Sequence, residues 1–125
     1  MIERVDIAIF QARRDCQTLR KIPEAAAYVE HASALEHFDA RLPEIEGAMR
    51  DDDVMMITAD HGNDPTFRGS DHTREYAPLL VYGRNARGGV YLGTRASLAD
   101  IGQTIANNFE LKLTAGTSFL DNIRQ

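Results

Sequence analysis

The stretch of sequence that decides the fold is residues 54–62, Val-Met-Met-Ile-Thr-Ala-Asp-His-Gly. Its first six residues form a short, largely apolar run with β-branched members, bounded by aspartates in front and by Asp60 and His61 behind. This pattern is typical of a buried strand. Gly62 then lets the backbone turn away immediately. The stretch therefore predicts a strand that ends in two polar side chains at the edge of a sheet, where α/β proteins place their ligands.

Helical patterns precede this strand. Apolar residues recur every three or four positions from Ala26 to Leu42, which predicts an amphipathic helix. Pro43 removes an amide donor inside that pattern, so we expect the helix to restart there and continue over residues 44–49. Residues 5–10 alternate loosely between apolar and polar side chains, which leaves a further short strand open.

The chain after the strand contains a long loop, over residues 62–77, and such loops are usually functional or disordered. Residues 78–82 predict a second buried strand and residues 90–92 a short edge strand. Ser97 is the expected N-cap of a further helix. The predicted apolar stripe of that helix comprises Leu98, Ile101, Ile105 and Phe109. Helices that alternate with buried strands predict an α/β fold, a layered sheet flanked by helices.

Composition and charge narrow the classes of protein. The chain has 125 residues and a mass of 13.9 kDa, with 43% hydrophobic and 26% charged residues, as expected of one soluble globular domain. A net charge of -5 argues against nucleic acid as a partner. The apolar runs are too short for a membrane span, and the single cysteine, Cys16, cannot form an internal disulfide. These features predict a cytoplasmic protein that lies outside the membrane.

Two Asp-His pairs lie in or beside the long loop. Asp60 and His61 open it, and Asp71 and His72 follow after a segment long enough to fold back. Carboxylate oxygen and imidazole nitrogen are ligands for Mn²⁺ or Zn²⁺. Two histidines and two or more carboxylates suit a pair of metal ions, which typically hold the oxygens of a phosphoryl group in transfer. The alternative is a polar loop with capped turns and exposed histidines.

Longer motifs around these pairs carry a family resemblance. Residues 57–66, Ile-Thr-Ala-Asp-His-Gly-Asn-Asp-Pro-Thr, and residues 69–75, Gly-Ser-Asp-His-Thr-Arg-Glu, closely resemble the C-terminal portion of bacterial phosphopentomutases, members of the alkaline phosphatase superfamily. The Thr-Ala-Asp-His-Gly part is shared across the superfamily, whereas the second motif is more particular to phosphopentomutases. The similarity extends from about residue 34 to residue 125. We therefore expect residues 34–125 to be the C-terminal part of a phosphopentomutase core domain and residues 1–33 a divergent N-terminal segment.

The resemblance implies a chemistry. In it, Asp60 and His61 would bind one of two Mn²⁺ ions, and His72 would bind the other. The family moves a phosphoryl group between C1 and C5 of ribose or deoxyribose, through a phosphorylated threonine and a sugar bisphosphate, and links nucleoside salvage to pentose metabolism. The implied function is thus that of an isomerase, with ribose or deoxyribose phosphates as partners.

The sequence also departs from the family. Family members carry an early metal-binding aspartate, a threonine nucleophile and a substrate-binding cap domain, and residues 1–125 match none of these. No catalytic residue is assigned, the substrate-binding residues are unknown, and Asp6 and His31 are left open as further ligands. We expect the chain to be incomplete, inactive alone, and prone to self-association through exposed sheet edges. The alternatives are another member of the superfamily, a phosphoglycerate mutase or phosphatase, and a non-catalytic metal-binding remnant.

Other polar residues near the motifs receive plainer interpretations. His37 is expected to be solvated, and Thr58 and Thr73 to have structural roles. Asp64 and Asp71 are candidates for orienting the histidines, because metal-bound imidazoles usually need such partners.

Overall fold

A computed structural model describes residues 24–68 and 72–125 of the chain. The elements are two helices, α1 (Glu24–Asp39) and α2 (Leu42–Ala48), two strands, β1 (Met55–Thr58) and β2 (Leu79–Tyr82), and two further helices, α3 (Ala99–Asn108) and α4 (Leu120–Ile123). The possible strand over residues 5–10, and the residues Asp6, Cys16 and Asp71, lie outside the described residues. None of the helices in the described ranges is long and apolar enough to cross a membrane.

The helix restart at Pro43 is confirmed. Pro43 occupies the first turn of α2, where its missing N–H would have had no intrahelical partner. The predicted helix is confirmed, but Val29 and Leu35 of its apolar stripe leave 69% and 57% of their surface exposed. An apolar stripe is buried only where a neighbouring element covers it.

The two principal strands are confirmed, and they pair with each other in a two-stranded sheet. Gly83, just after β2, lies against the backbone of Asp53, just before β1, so the strands run antiparallel. Residues 54–56 are buried as predicted, whereas Leu80 and Tyr82 are exposed, so the predicted burial of β2 is wrong at these two positions. The described fold is thus a mixture of helices and strands, with a small antiparallel sheet.

The edge strand predicted over residues 90–92 is wrong. These residues have no regular structure, and Tyr91 is 89% exposed. Gly89 and Gly93 flank the segment with φ values of 71° and 68°, which are left-handed conformations that a strand cannot contain. The apolar triplet therefore lies between two glycines in left-handed backbone conformations.

The chain divides into two compact units. One contains Arg50–Ile57 and Leu80–Gln125, and the other contains α1, α2 and the segment from Thr58 to Leu79. The buried apolar side chains of the first unit are Val54, Met55, Met56, Ala106, Phe119, Leu120 and Ile123. Residues after β2 pair with the chain end, since Arg87 N donates to Ile123 O at 2.8 Å and Ala86 forms an antiparallel bridge with Arg124.

The α3 helix is confirmed, but its predicted buried face is wrong. Ser97 Oγ accepts a hydrogen bond at 3.1 Å from the N–H of Ala99, the first residue of α3, but the residue at the N-cap position is Leu98 rather than the predicted Ser97. Leu98 and Phe109 of the predicted stripe are 51% and 48% exposed. The buried side chains of α3 are instead Asp100, Gln103, Thr104 and Ala106.

Polar contacts explain why this face is buried. Thr104 Oγ1 donates to Asp100 O at 2.7 Å and accepts from Phe119 N at 3.0 Å. Asp100 forms a salt bridge of 2.9 Å with Arg95 and accepts from Thr117 N at 2.8 Å. A buried polar group must be hydrogen-bonded, and here the partners are Arg95, which lies before α3, and the segment before α4. The buried face of α3 is therefore set by these polar partners.

Candidate metal centre

The candidate site begins where β1 ends. Asp60 and His61 follow the strand closely, and 55% and 35% of their side-chain surfaces are exposed. His61 Nε2 lies 3.6 Å from Asp60 Oδ1. Two ligands of one ion, each about 2.1 Å from it, are roughly 3.0–3.4 Å apart. The two donor atoms therefore lie at nearly the separation that a shared ion requires, and both face solvent.

The backbone fixes which nitrogen of His61 is available. His61 Nδ1 lies 2.7 Å from the carbonyl oxygen of Gly62. A carbonyl oxygen can only accept, so Nδ1 carries the proton and donates it. Nε2, which carries the lone pair in the neutral imidazole, is the nitrogen that faces Asp60. A backbone carbonyl on the non-ligating nitrogen is a common arrangement for histidines that bind metals.

The loop folds back so that the two histidines meet. The ring centroids of His61 and His72 are 3.7 Å apart, with an angle of 16° between the ring planes. The rings are stacked face to face, although the two histidines are eleven positions apart in sequence. His72, like Asp60, is exposed.

Two contacts hold the folded loop at this point. A Cβ placed on Gly62 would overlap the carbonyl group of Glu75, so the two backbones approach more closely than any other residue type allows. Asp64 N donates to Thr73 Oγ1 at 2.6 Å. Both contacts link the segment that follows His61 to the segment that follows His72.

A tight turn lies on the His61 side of the loop. Asp64 Oδ1 accepts hydrogen bonds from Thr66 N at 2.8 Å and from Thr66 Oγ1 at 2.7 Å. These bonds lower the pKa of the Asp64 carboxyl from its usual value of 3.8. The carboxylate thus stabilises the turn, and the partner of its Oδ1 atom is Thr66.

The remaining candidates are placed as follows. His31 and His37 are exposed on α1, as expected for His37. Thr58 Oγ1 donates to Ala59 O at 3.4 Å, and Thr73 Oγ1 accepts from Asp64 N, so both threonines have backbone partners. Sequence reasoning missed the close approach of Gly62 and the bond made by Thr73, because both depend on the path of the loop.

The donor set present here can be compared with what a metal ion needs. One carboxylate and two imidazoles offer the oxygen and nitrogen ligands that Mn²⁺ and Zn²⁺ accept. Over residues 24–68 and 72–125, no three His, Cys, Asp or Glu side chains are gathered closely enough to hold an ion. Asp60 and His61 therefore fit part of a metal site rather than a complete one.

Comparisons with known proteins agree with the motifs. The sequence profile of the Metalloenzyme superfamily matches residues 23–113. A phosphopentomutase of Kosmotoga olearia is 57% identical over 94 residues, which are 74% of this chain and 24% of that protein. The phosphopentomutase of Hahella chejuensis is 57% identical over 91 residues, 72% of this chain and 22% of that protein. That of Clostridioides difficile is 52% identical over 90 residues, 71% of this chain and 23% of that protein.

The chain thus spans about a quarter of the length of the curated relatives it matches. The resemblance inferred from the Asp-His motifs is confirmed, because the relatives are phosphopentomutases and the identity exceeds half of the aligned residues. The profile match and these relatives together establish that the chain belongs to the metalloenzyme superfamily, with phosphopentomutases among its similar members.

Proposed function

We propose that this chain supplies part of the dinuclear manganese site of a phosphopentomutase, an isomerase that moves a phosphoryl group between C1 and C5 of ribose or deoxyribose. The observation that carries the proposal is the stacked pair of His61 and His72, with Asp60 beside His61. The names of the similar proteins supply the reaction class. A cytoplasmic role in nucleoside salvage follows from the same resemblance.

The stack favours two ions over one. The lone pair of an imidazole nitrogen lies in the plane of its ring. Two rings 3.7 Å apart and only 16° from parallel cannot both aim a lone pair at one point between them. They instead serve two neighbouring points, and paired catalytic ions are typically about 3.5–4 Å apart. We therefore assign Asp60 and His61 to one ion and His72 to the other.

The residues of this chain act by binding and positioning. Two bound divalent ions would neutralise the charge of a phosphoryl group in transfer and hold its oxygens. The Gly62 carbonyl holds the proton on Nδ1 of His61, which keeps Nε2 available as a ligand. The hydroxyls of Thr58 and Thr73 have backbone partners, so we assign neither as the nucleophile.

The first test is an activity assay of the 125-residue chain with Mn²⁺. We expect no conversion of ribose 1-phosphate to ribose 5-phosphate, because residues 1–125 offer no match to the threonine nucleophile and supply only part of the ligand set. Measurable turnover by pure material would contradict the proposed inactivity of the chain alone.

The second test is Mn²⁺ binding, followed by calorimetry or by paramagnetic broadening of histidine resonances. We expect weak binding, since few ligands are present and the loop must lose conformational freedom. His61→Ala should weaken binding about tenfold or more, whereas His37→Ala should not change it, because His37 is exposed on α1. Equal affinity in the parent and His61→Ala chains would refute the assignment of this site.

A further inference from the structure

We infer that Thr73 is a positioning residue, whose hydroxyl fastens the segment carrying His72 to the segment carrying His61 and so holds the ring stack before any metal binds. The inference rests on the proposed function, because that function assigns the two stacked histidines as metal ligands. The structural part stands on contacts among residues 61–66 and 72–75 alone.

The position of Thr73 explains its effect. Thr73 directly follows His72, and its partner Asp64 comes three residues after His61. The bond from Asp64 N to Thr73 Oγ1 is 2.6 Å long. Because this short hydrogen bond is made by the residue next to His72, it restricts where the exposed His72 side chain can lie. His72 thus receives its position from the hydroxyl of its neighbour.

A second contact keeps the same register. The backbone of Gly62 contacts that of Glu75, and Asp64 N donates to Thr73 Oγ1. Moving two residues forward along the first segment, from Gly62 to Asp64, therefore corresponds to moving two residues back along the second, from Glu75 to Thr73. The segments therefore run antiparallel at this point. The backbone approach at Gly62 allows the segments to meet, and the Thr73 hydroxyl fixes how they are aligned.

The anchor for Thr73 is itself held in place. Asp64 Oδ1 accepts two hydrogen bonds from Thr66, which stabilise the turn that presents Asp64 N. A backbone N–H that is shielded from water needs an acceptor. For Asp64 N this acceptor is the side-chain hydroxyl of Thr73 rather than a backbone carbonyl. Loss of that oxygen leaves Asp64 N without this acceptor and frees the segment that carries His72.

The direct test uses the metal-free 125-residue chain. Nuclear Overhauser contacts between the His61 and His72 rings, together with amide exchange of Asp64, report the stack and the bond separately. We expect ring contacts and a protected Asp64 amide in the parent chain and in Thr73→Ser, and loss of both in Thr73→Val. Thr114→Val is the matched control, because Thr114 is exposed in the other unit. A freely exchanging Asp64 amide in the parent would overturn the inference without any variant.

Metal affinity then separates the two proposals. We expect Thr73→Val to weaken Mn²⁺ binding about tenfold, with parental affinity in Thr73→Ser and Thr114→Val. If the parent shows the stack but binds no Mn²⁺, the proposed function fails and the positioning role stands. If Thr73→Val keeps the ring contacts and the parental affinity, the positioning role is wrong and the proposed function stands.

Discussion

Replacing Gly62 with alanine places a Cβ where the carbonyl group of Glu75 already lies. The new atom would also lie 2.8 Å from Glu75 Cα, whereas non-bonded carbon atoms are normally about 3.5–4.0 Å apart. The atoms in the way belong to the backbone, so no side-chain rotation can relieve the overlap. The two segments must separate by about 1 Å or more.

The consequence for stability follows from this separation. Overpacking a filled site costs about 1–3 kcal/mol, and the lower entropy of alanine in the unfolded chain returns about 0.4–1 kcal/mol. The net loss in the free energy of unfolding should be about 1.3 kcal/mol, within a range of about 0–2.6 kcal/mol. A 1 Å separation would also lengthen the 2.6 Å bond from Asp64 N to Thr73 Oγ1 beyond the range of about 2.7–3.2 Å usual for such bonds.

Urea unfolding followed by circular dichroism measures the loss in the free energy of unfolding. Nuclear Overhauser contacts between the His61 and His72 rings report whether the two segments have separated. Gly47→Ala is the control, because a Cβ at Gly47 meets nothing within 4 Å and α2 is a helix. It should be stabilising by about 0.5–1 kcal/mol. A Gly62→Ala chain with the parental urea midpoint and unchanged ring contacts would refute the steric argument.

Three further predictions concern stability and association. Thr104→Val should lower the free energy of unfolding by about 1–3 kcal/mol in urea titrations, because Phe119 N loses its buried acceptor, whereas the exposed Thr114→Val should change it by less than about 0.5 kcal/mol. Side-chain hydrogen bonds from Arg50 lower the pKa of Asp53, so this carboxylate stabilises the fold above its ordinary pKa of 3.8 and loses that effect as the pH falls further. Acid unfolding of Asp53→Asn should therefore depend less steeply on pH below 3.8 than that of the parent, and equal slopes would contradict this. Many large apolar side chains are exposed, so the chain should form dimers or larger oligomers at protein concentrations on the order of tens of micromolar. A sharp monomer in light scattering would contradict this.

Local sequence patterns predicted the elements whose formation is local. The apolar run before Asp60 predicted β1, and Pro43 predicted the start of α2 because proline geometry acts within one turn. The Asp-His motifs predicted a loop on which His61 and His72 meet. For β1 and α2, the interactions that form the element lie within the segment itself. For the Asp-His motifs, the prediction rests on the resemblance to a family.

The features that were not predicted depend on partners distant in sequence. The buried face of α3 is set largely by Thr117 and Phe119, whose amides donate to Asp100 and Thr104, and a hydrophobic stripe cannot indicate polar partners of this kind. Gly62 was interpreted as a turn residue, but its requirement comes from Glu75, thirteen positions later. These contacts become visible only when the path of the intervening chain is known.

The pairing of Arg87 with Ile123 bears on how the chain folds while it is being made. Ile123 follows Arg87 by 36 residues, so at 5–20 residues per second a ribosome needs roughly 2–7 s to deliver the partner. Met55 and Met56 share the buried core of that unit with Phe119 and Ile123, and they are synthesised earlier still. Until Phe119 and Ile123 are made, the buried residues of β1 lack part of this core, and transiently exposed apolar surface of this kind is prone to aggregation.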